Sequence, residues 1–146
     1  MRVAIACVGR LKERYWKDAA GEYVKRLSRY AQTDILEVDD DPAPERYSDA
    51  QRTAAITREG ERLLNQIQPR DFVAALCVDG KRLTSEGFAA ELDTWMCRGA
   101  TRIVFVIGGS LGLSPAVLAR ADMRISLSDM TFPHQLARVL LLEQVY

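Results

Sequence analysis

The chain has 146 residues, 48% apolar and 27% charged, with 20 Lys/Arg against 20 Asp/Glu. That is enough for one domain burying roughly two thirds of its unfolded surface, and the zero net charge argues against tight binding of naked nucleic acid through phosphates alone. A signal peptide and any apolar run approaching roughly 18 residues are absent, which predicts a cytoplasmic protein without membrane segments, and three cysteines without CxxC spacing beside a single histidine leave no Cys/His zinc site.

The first β-rich run, RVAIACV (Arg2 to Val8), is apolar on consecutive positions, as expected of a parallel strand covered on both faces. It leads into GRLKERYWK and a helix predicted from Glu13 to Arg29. Residues 1 to 30 carry eight Lys/Arg against three Asp/Glu, and residues 31 to 68 four against nine, so the neutral total conceals a basic first third. Lys12 and Arg14 beside Tyr15 and Trp16 suit phosphate neutralisation and base stacking; a solvated amphipathic helix with its aromatics turned to the core explains them almost as well.

TDILEV (Thr33 to Val38) is the second strand. In DDDPAPERYS (Asp39 to Ser48) an acidic run and two prolines disfavour regular structure. Ser48 with Gln51 forms a capping box for a helix reaching about Ile67. DFVAALCV (Asp71 to Val78) is the third strand, followed by a helix over Ser85 to Cys97, and RIVFVI (Arg102 to Ile107) is the fourth. Ser114 before Pro115 reads as a cap and an N1 proline, MRISL (Met123 to Leu127) as the fifth strand, and Pro133 to Tyr146 as the last helix. This alternation predicts a single-domain α/β fold over residues 1–146, an open, mostly parallel sheet with helices on both faces and its ligand beyond the carboxyl ends of the strands.

The turn after the first strand lacks GxGxxG, and no GxxxxGK[ST] occurs, which argues against NAD, ATP and the common Rossmann-like methyltransferases. Glycines cluster instead after the fourth strand, in FVIGGSLGLSP. Bare backbone at Gly108, Gly109 and Gly112 lets a flat or bulky ligand rest on peptide groups; a tight turn with positive φ explains the glycines equally well. SLSDMTFPH (Ser126 to His134) offers backbone polar groups and an apolar wall, or else Ser128, Asp129 or Thr131 caps the last helix. At the start of that helix the dipole favours neutral His134, a form able to accept a proton; the alternative is a hydrogen-bonding structural histidine. Leu136, Val139, Leu140 and Val145 do not share a stripe with Ala137, Leu141 and Leu142. Two apolar sides call for cover from a second copy of the chain, or for burial deep within its own.

Four blocks in order, VGRLKERYW, LCVDGKRLTSEGFA, FVIGGSLGLS and LSDMTFPHQLARVLLLEQVY, together resemble the ribosomal RNA large subunit methyltransferase H family of the SPOUT class, in register from residue 1 to 146. The resemblance implies a homodimeric enzyme, paired through the C-terminal helix. It would transfer a methyl group from S-adenosylmethionine to N3 of a pseudouridine in helix 69 of 23S rRNA, in the assembled ribosome. Neither a metal, DNA nor a membrane is implied, whereas a C-terminal trefoil knot is.

Cofactor positions carried over by the resemblance are Leu76, Gly108 and the run Leu127, Ser128, Asp129, Met130, Thr131 and Phe132. His134 and Arg138 would face the reaction or the RNA, and Lys12 and Arg14 would hold the RNA. Family members continue past EQVY with residues lying near the acceptor base; a form without them is expected to bind cofactor and dimerise while methyl transfer falls sharply. The rival readings are a non-catalytic dimeric ribosome-binding factor and a SPOUT methyltransferase acting on another RNA.

Overall fold

Hydrophobic runs too continuous for a one-sided sheet become strands buried on both faces. A computed structural model describes residues 1–41 and 48–146, so most of the Asp39 to Ser48 segment lies outside the described residues. In chain order the elements are β1 (Arg2–Val8), α1 (Arg14–Leu27), β2 (Gln32–Val38), α2 (Asp49–Leu64) and β3 (Phe72–Arg82), then α3 (Ser85–Cys97), β4 (Ile103–Ile107), α4 (Pro115–Arg120), β5 (Met123–Ser126) and α5 (His134–Val145). The sheet order is β2-β1-β4-β3-β5 and every strand pair is parallel.

The alternation within each run sorts the core into two layers. Val3, Ile5 and Cys7 of β1 with Ile103, Phe105 and Ile107 of β4 face α1, α3 and α5, meeting Leu27, Trp95 and Leu141. Ala4, Ala6 and Val8 with Val104 and Val106 face α2 and α4, meeting Leu63 and Val117. Aromatic packing fills the first layer, with Phe72 stacked on Trp95 at 4.6 Å between centroids.

Helix starts follow the local chemistry. Ser48 and Gln51 make both bonds of the capping box. The Ser114 hydroxyl accepts from the Val117 amide at 3.2 Å, ahead of N1 Pro115, and Thr84 caps α3 by accepting from the Gly87 amide at 3.0 Å. Each such cap contributes about 1 kcal/mol. The last helix differs from the expectation. It starts at His134 after Pro133, with no side-chain cap among the described residues. The Ser128 hydroxyl instead accepts from the Met130 amide at 3.0 Å, tightening the loop on itself.

The two edges of the sheet are built differently. At the amino edge, buried Arg102 donates to both carboxylate oxygens of buried Asp71, at 3.1 and 2.6 Å, and to the Gln66 carbonyl at 3.0 Å. β3 runs past Val78, where the sequence pattern ends it, to Arg82. Leu76 and Lys81 both pair with Ile125 of β5, so residues 77–80 loop out between two short ladders. The crossing is tight: a Cβ on Gly80 would sit 2.5 Å from the Ile125 carbonyl carbon.

Candidate active site

At the carboxyl edge the bulge within β3 and the loops after β4 and β5 enclose a cavity of about 610 Å³, a size ordinary for small-molecule sites. Leu76 and the bulge residues Cys77, Val78 and Asp79 form one wall. Gly108, Gly109, Ser110 and Gly112 after β4 form a second, and Leu127, Ser128, Met130, Thr131 and Phe132 after β5 a third. His134 and Ala137 of α5 close the floor. The lining is mainly apolar with a few hydroxyls and backbone groups, the pattern of a site for a flat, partly polar ligand.

Glycine is required at this edge for a stated reason. A Cβ on Gly108 would lie 2.9 Å from the carbonyl carbon and oxygen of Gly112 and 3.1 Å from Leu113 Cδ2. The 109–112 turn closes by an antiparallel bridge between Gly109 and Gly112, with φ +84 at Gly112. The tight-turn reading of the cluster is borne out by the positive φ at Gly112, and the same glycines line the cavity with bare backbone.

His134 packs on Gly9, which has no side chain in the way and holds φ +91; a Cβ there would be 3.3 Å from the imidazole Cε1 and 3.6 Å from Nε2. Its Nδ1 is buried without a hydrogen-bond partner among the described residues. Burial, then the nearby Arg138 guanidinium, hold the imidazole below the ordinary histidine range, against the opposing pull of Asp40, Glu13 and Glu37. The ring is thus biased toward the neutral form.

The remaining expected residues sit elsewhere. Asp129 points away from the cavity and pairs with Arg82 at 2.7 Å on the exposed surface. Arg138 is fully buried, donating to Glu37 Oε2 at 2.8 Å and to the Gly9 carbonyl at 3.3 Å. Lys12 and Arg14 are exposed at the start of α1 and do not line the cavity. Sequence reasoning missed Cys77 and Val78, since the run they end reads as plain strand, Asp79 just after it, and Gly9, whose positive φ shows only once the chain is folded. Among the described residues no group of three or more His, Cys, Asp or Glu could hold a metal, and no helix is long and apolar enough to cross a membrane.

A family described as "Predicted SPOUT methyltransferase" matches residues 1–146. Ribosomal RNA large subunit methyltransferase H of Bifidobacterium animalis subsp. lactis is 52% identical over 146 residues, all of this chain and 92% of its own length. The proteins of the same name from Lactiplantibacillus plantarum and Ruminiclostridium cellulolyticum are 51% and 49% identical over the same spans.

Proposed function

From the premise that the chain belongs to the SPOUT methyltransferase family, we propose that it methylates 23S rRNA in the assembled ribosome, at N3 of a pseudouridine in helix 69. The observation that carries the reading is the cavity at the carboxyl edge, walled by the bare backbone of Gly108 and the loop from Leu127 to Phe132, with an imidazole biased toward its neutral form in its floor.

The family implies S-adenosylmethionine as methyl donor, and the residues present fit it. The apolar walls of Leu76, Leu127 and Phe132 suit an adenine ring, the peptide groups around Gly108 and Ser128 its edges, and the 610 Å³ volume the whole molecule. When bound, the donor supplies an activated methyl on a sulfonium centre. The chain's own contribution is alignment and removal of the N3 proton by His134. Because Nδ1 is buried, Nε2 is the ring nitrogen left to receive that proton. Asp129, held by Arg82 on the outer side, steadies the loop that walls the donor.

The family also implies a knot, formed by the chain from about Gly108 onward. Dimerisation through α5 draws support from the burial of its two stripes. Ala137, Leu141 and Leu142 are buried within the chain, whereas Leu136, Val139, Leu140 and Val145 remain partly exposed. A second copy would cover that stripe and double the basic surface of Lys12 and Arg14, compensating for the zero net charge in binding a ribosome in the cytoplasm.

The test is incubation with labelled S-adenosylmethionine and ribosomes from a strain lacking the modification. Label is expected in 23S rRNA and to be lost with His134→Ala more through rate than through donor affinity. Label in protein-free 16S rRNA or tRNA instead would overturn the substrate, and ribosome binding without label would leave the non-catalytic factor.

A further inference from the structure

We propose that Glu37, which touches neither the cavity nor any reacting group, is a positioning residue for His134 that acts through Arg138. The proposal builds on the reading of His134 as proton acceptor. Arg138 lies four residues beyond His134 in α5, and a guanidinium wholly out of solvent is costly unless its donors are paired. Glu37 Oε2 takes the Nη1 donor at 2.8 Å and, at 3.1 Å, also accepts the backbone amide of Leu11. One carboxylate oxygen therefore ties the loop after β1 to the last helix.

Between those two bonds lies Gly9. Its amide donates to the Val38 carbonyl at 2.8 Å, one residue beyond Glu37, and its carbonyl accepts from Arg138 Nη2 at 3.3 Å. Its missing side chain is the seat of the imidazole. Two side chains of one helix thus register on the same glycine, the guanidinium on its carbonyl and the imidazole on its Cα. If Arg138 loses its carboxylate, the first turn of α5 is free to rotate the ring off the cavity floor.

The same pair sets the charge around the ring. Facing His134 are Arg138 from its own helix, Glu37 of β2, Asp40 in the segment after β2 and Glu13 ahead of α1. Cys7, under the pair on β1, records the same two opposing charges, although burial dominates and pushes its thiol up to about 11. Removing the Glu37 charge leaves Arg138 uncompensated and disfavours imidazolium further, whereas removing the Arg138 charge favours it. The two halves of one ion pair therefore push the ring in opposite directions.

His134 is the only histidine, so its ring proton gives a single titrating NMR signal. In Glu37→Gln the midpoint is expected to move to lower pH, in Arg138→Met to higher pH, and in Glu37→Asp to return close to that of the unaltered protein. In Glu37→Gln the acid limb of the methyl-transfer profile should follow, with kcat down about tenfold and KM for S-adenosylmethionine changed less than about twofold, as loss of alignment rather than of binding requires. Midpoints unmoved in a folded Glu37→Gln protein, even one of lowered stability, would reduce the pair to a packing role and overturn the proposal; so would shifts of the same sign in both variants. Should Arg138→Met fail to fold, the contrast of Glu37→Gln with Glu37→Asp decides. The titration needs no methyl transfer, so an unchanged rate in His134→Ala would remove the catalytic reading while the coupling is still judged by the midpoints.

Discussion

Replacing Gly80 by Ala tests whether the bulge in β3 is the element that holds the cavity wall. The backbone of Gly80 is not in the left-handed region, so alanine is conformationally welcome there and would by itself stabilise by about 0.4–1 kcal/mol through the unfolded chain. The added methyl, however, would meet the Ile125 carbonyl carbon at 2.5 Å and its nitrogen and oxygen at 2.7 Å. No flexible side chain can yield, because all three atoms are backbone. The two strands must part by close to 1 Å, beyond the roughly 3.2 Å limit of a sound N–H···O bond.

The pairings at risk are Lys81 with Ile125 and Arg82 with Ser126. Two ladder bonds at about 1 kcal/mol each, with overpacking strain of about 1–3 kcal/mol, outweigh the unfolded-state gain, and the expected loss is about 2–4 kcal/mol in urea unfolding. Since Leu127 directly follows Ser126, affinity for S-adenosylhomocysteine by calorimetry should fall about tenfold, equivalent to roughly 1.4 kcal/mol. The control is Gly21→Ala on the exposed face of α1, where a Cβ meets nothing within 4 Å, with an expected gain of about 0.5–1 kcal/mol. If Gly80→Ala behaves like that control, with unfolding within about 0.5 kcal/mol of the parent and unchanged affinity, the crossing does not hold the wall.

Two further outcomes are expected. Arg102→Met strands buried Asp71 without its guanidinium, and urea unfolding should show a loss of about 3–5 kcal/mol, much of it recovered on adding Asp71→Asn; a loss below about 1 kcal/mol would mean that water reaches the carboxylate. Cys77 lines the cavity, and burial followed by the Asp79 charge pushes its thiol up, so maleimide should label exposed Cys97 first. Saturating S-adenosylhomocysteine should slow labelling of Cys77 alone, read by peptide mass spectrometry, and equal protection of both cysteines would place the ligand elsewhere.

Why some of this was legible in the sequence and some was not follows from the range of the interactions. β1 from Val3 on and the whole of β4 are apolar at consecutive positions because each side chain meets a helix layer, a requirement visible within a few residues. Ser48 with Gln51, and Ser114 with Pro115, satisfy helix ends within one turn, so their boundaries are local as well. The glycines and hydroxyls of two cavity walls are equally local. The third wall is not: Cys77 to Asp79 loop out because Ile125, far along the chain, pairs on both sides of them, and nothing in LCVDGKR encodes that register.

Arg138 lies between these cases. Its partner Glu37 is 101 residues away and invisible to any local pattern, yet its own burial was there to be read. In a helix, residues three and four apart share a face, which puts Arg138 in the stripe of Leu141 and Leu142, both fully buried. A guanidinium in an aliphatic stripe has to find a carboxylate or a carbonyl inside the fold. Sorting α5 by its apolar residues alone exposed the two stripes but left Arg138 assigned to the reaction or the RNA. Asking which charged residue shares the buried stripe would have turned the search inward, toward the acidic end of β2 where Glu37 is found.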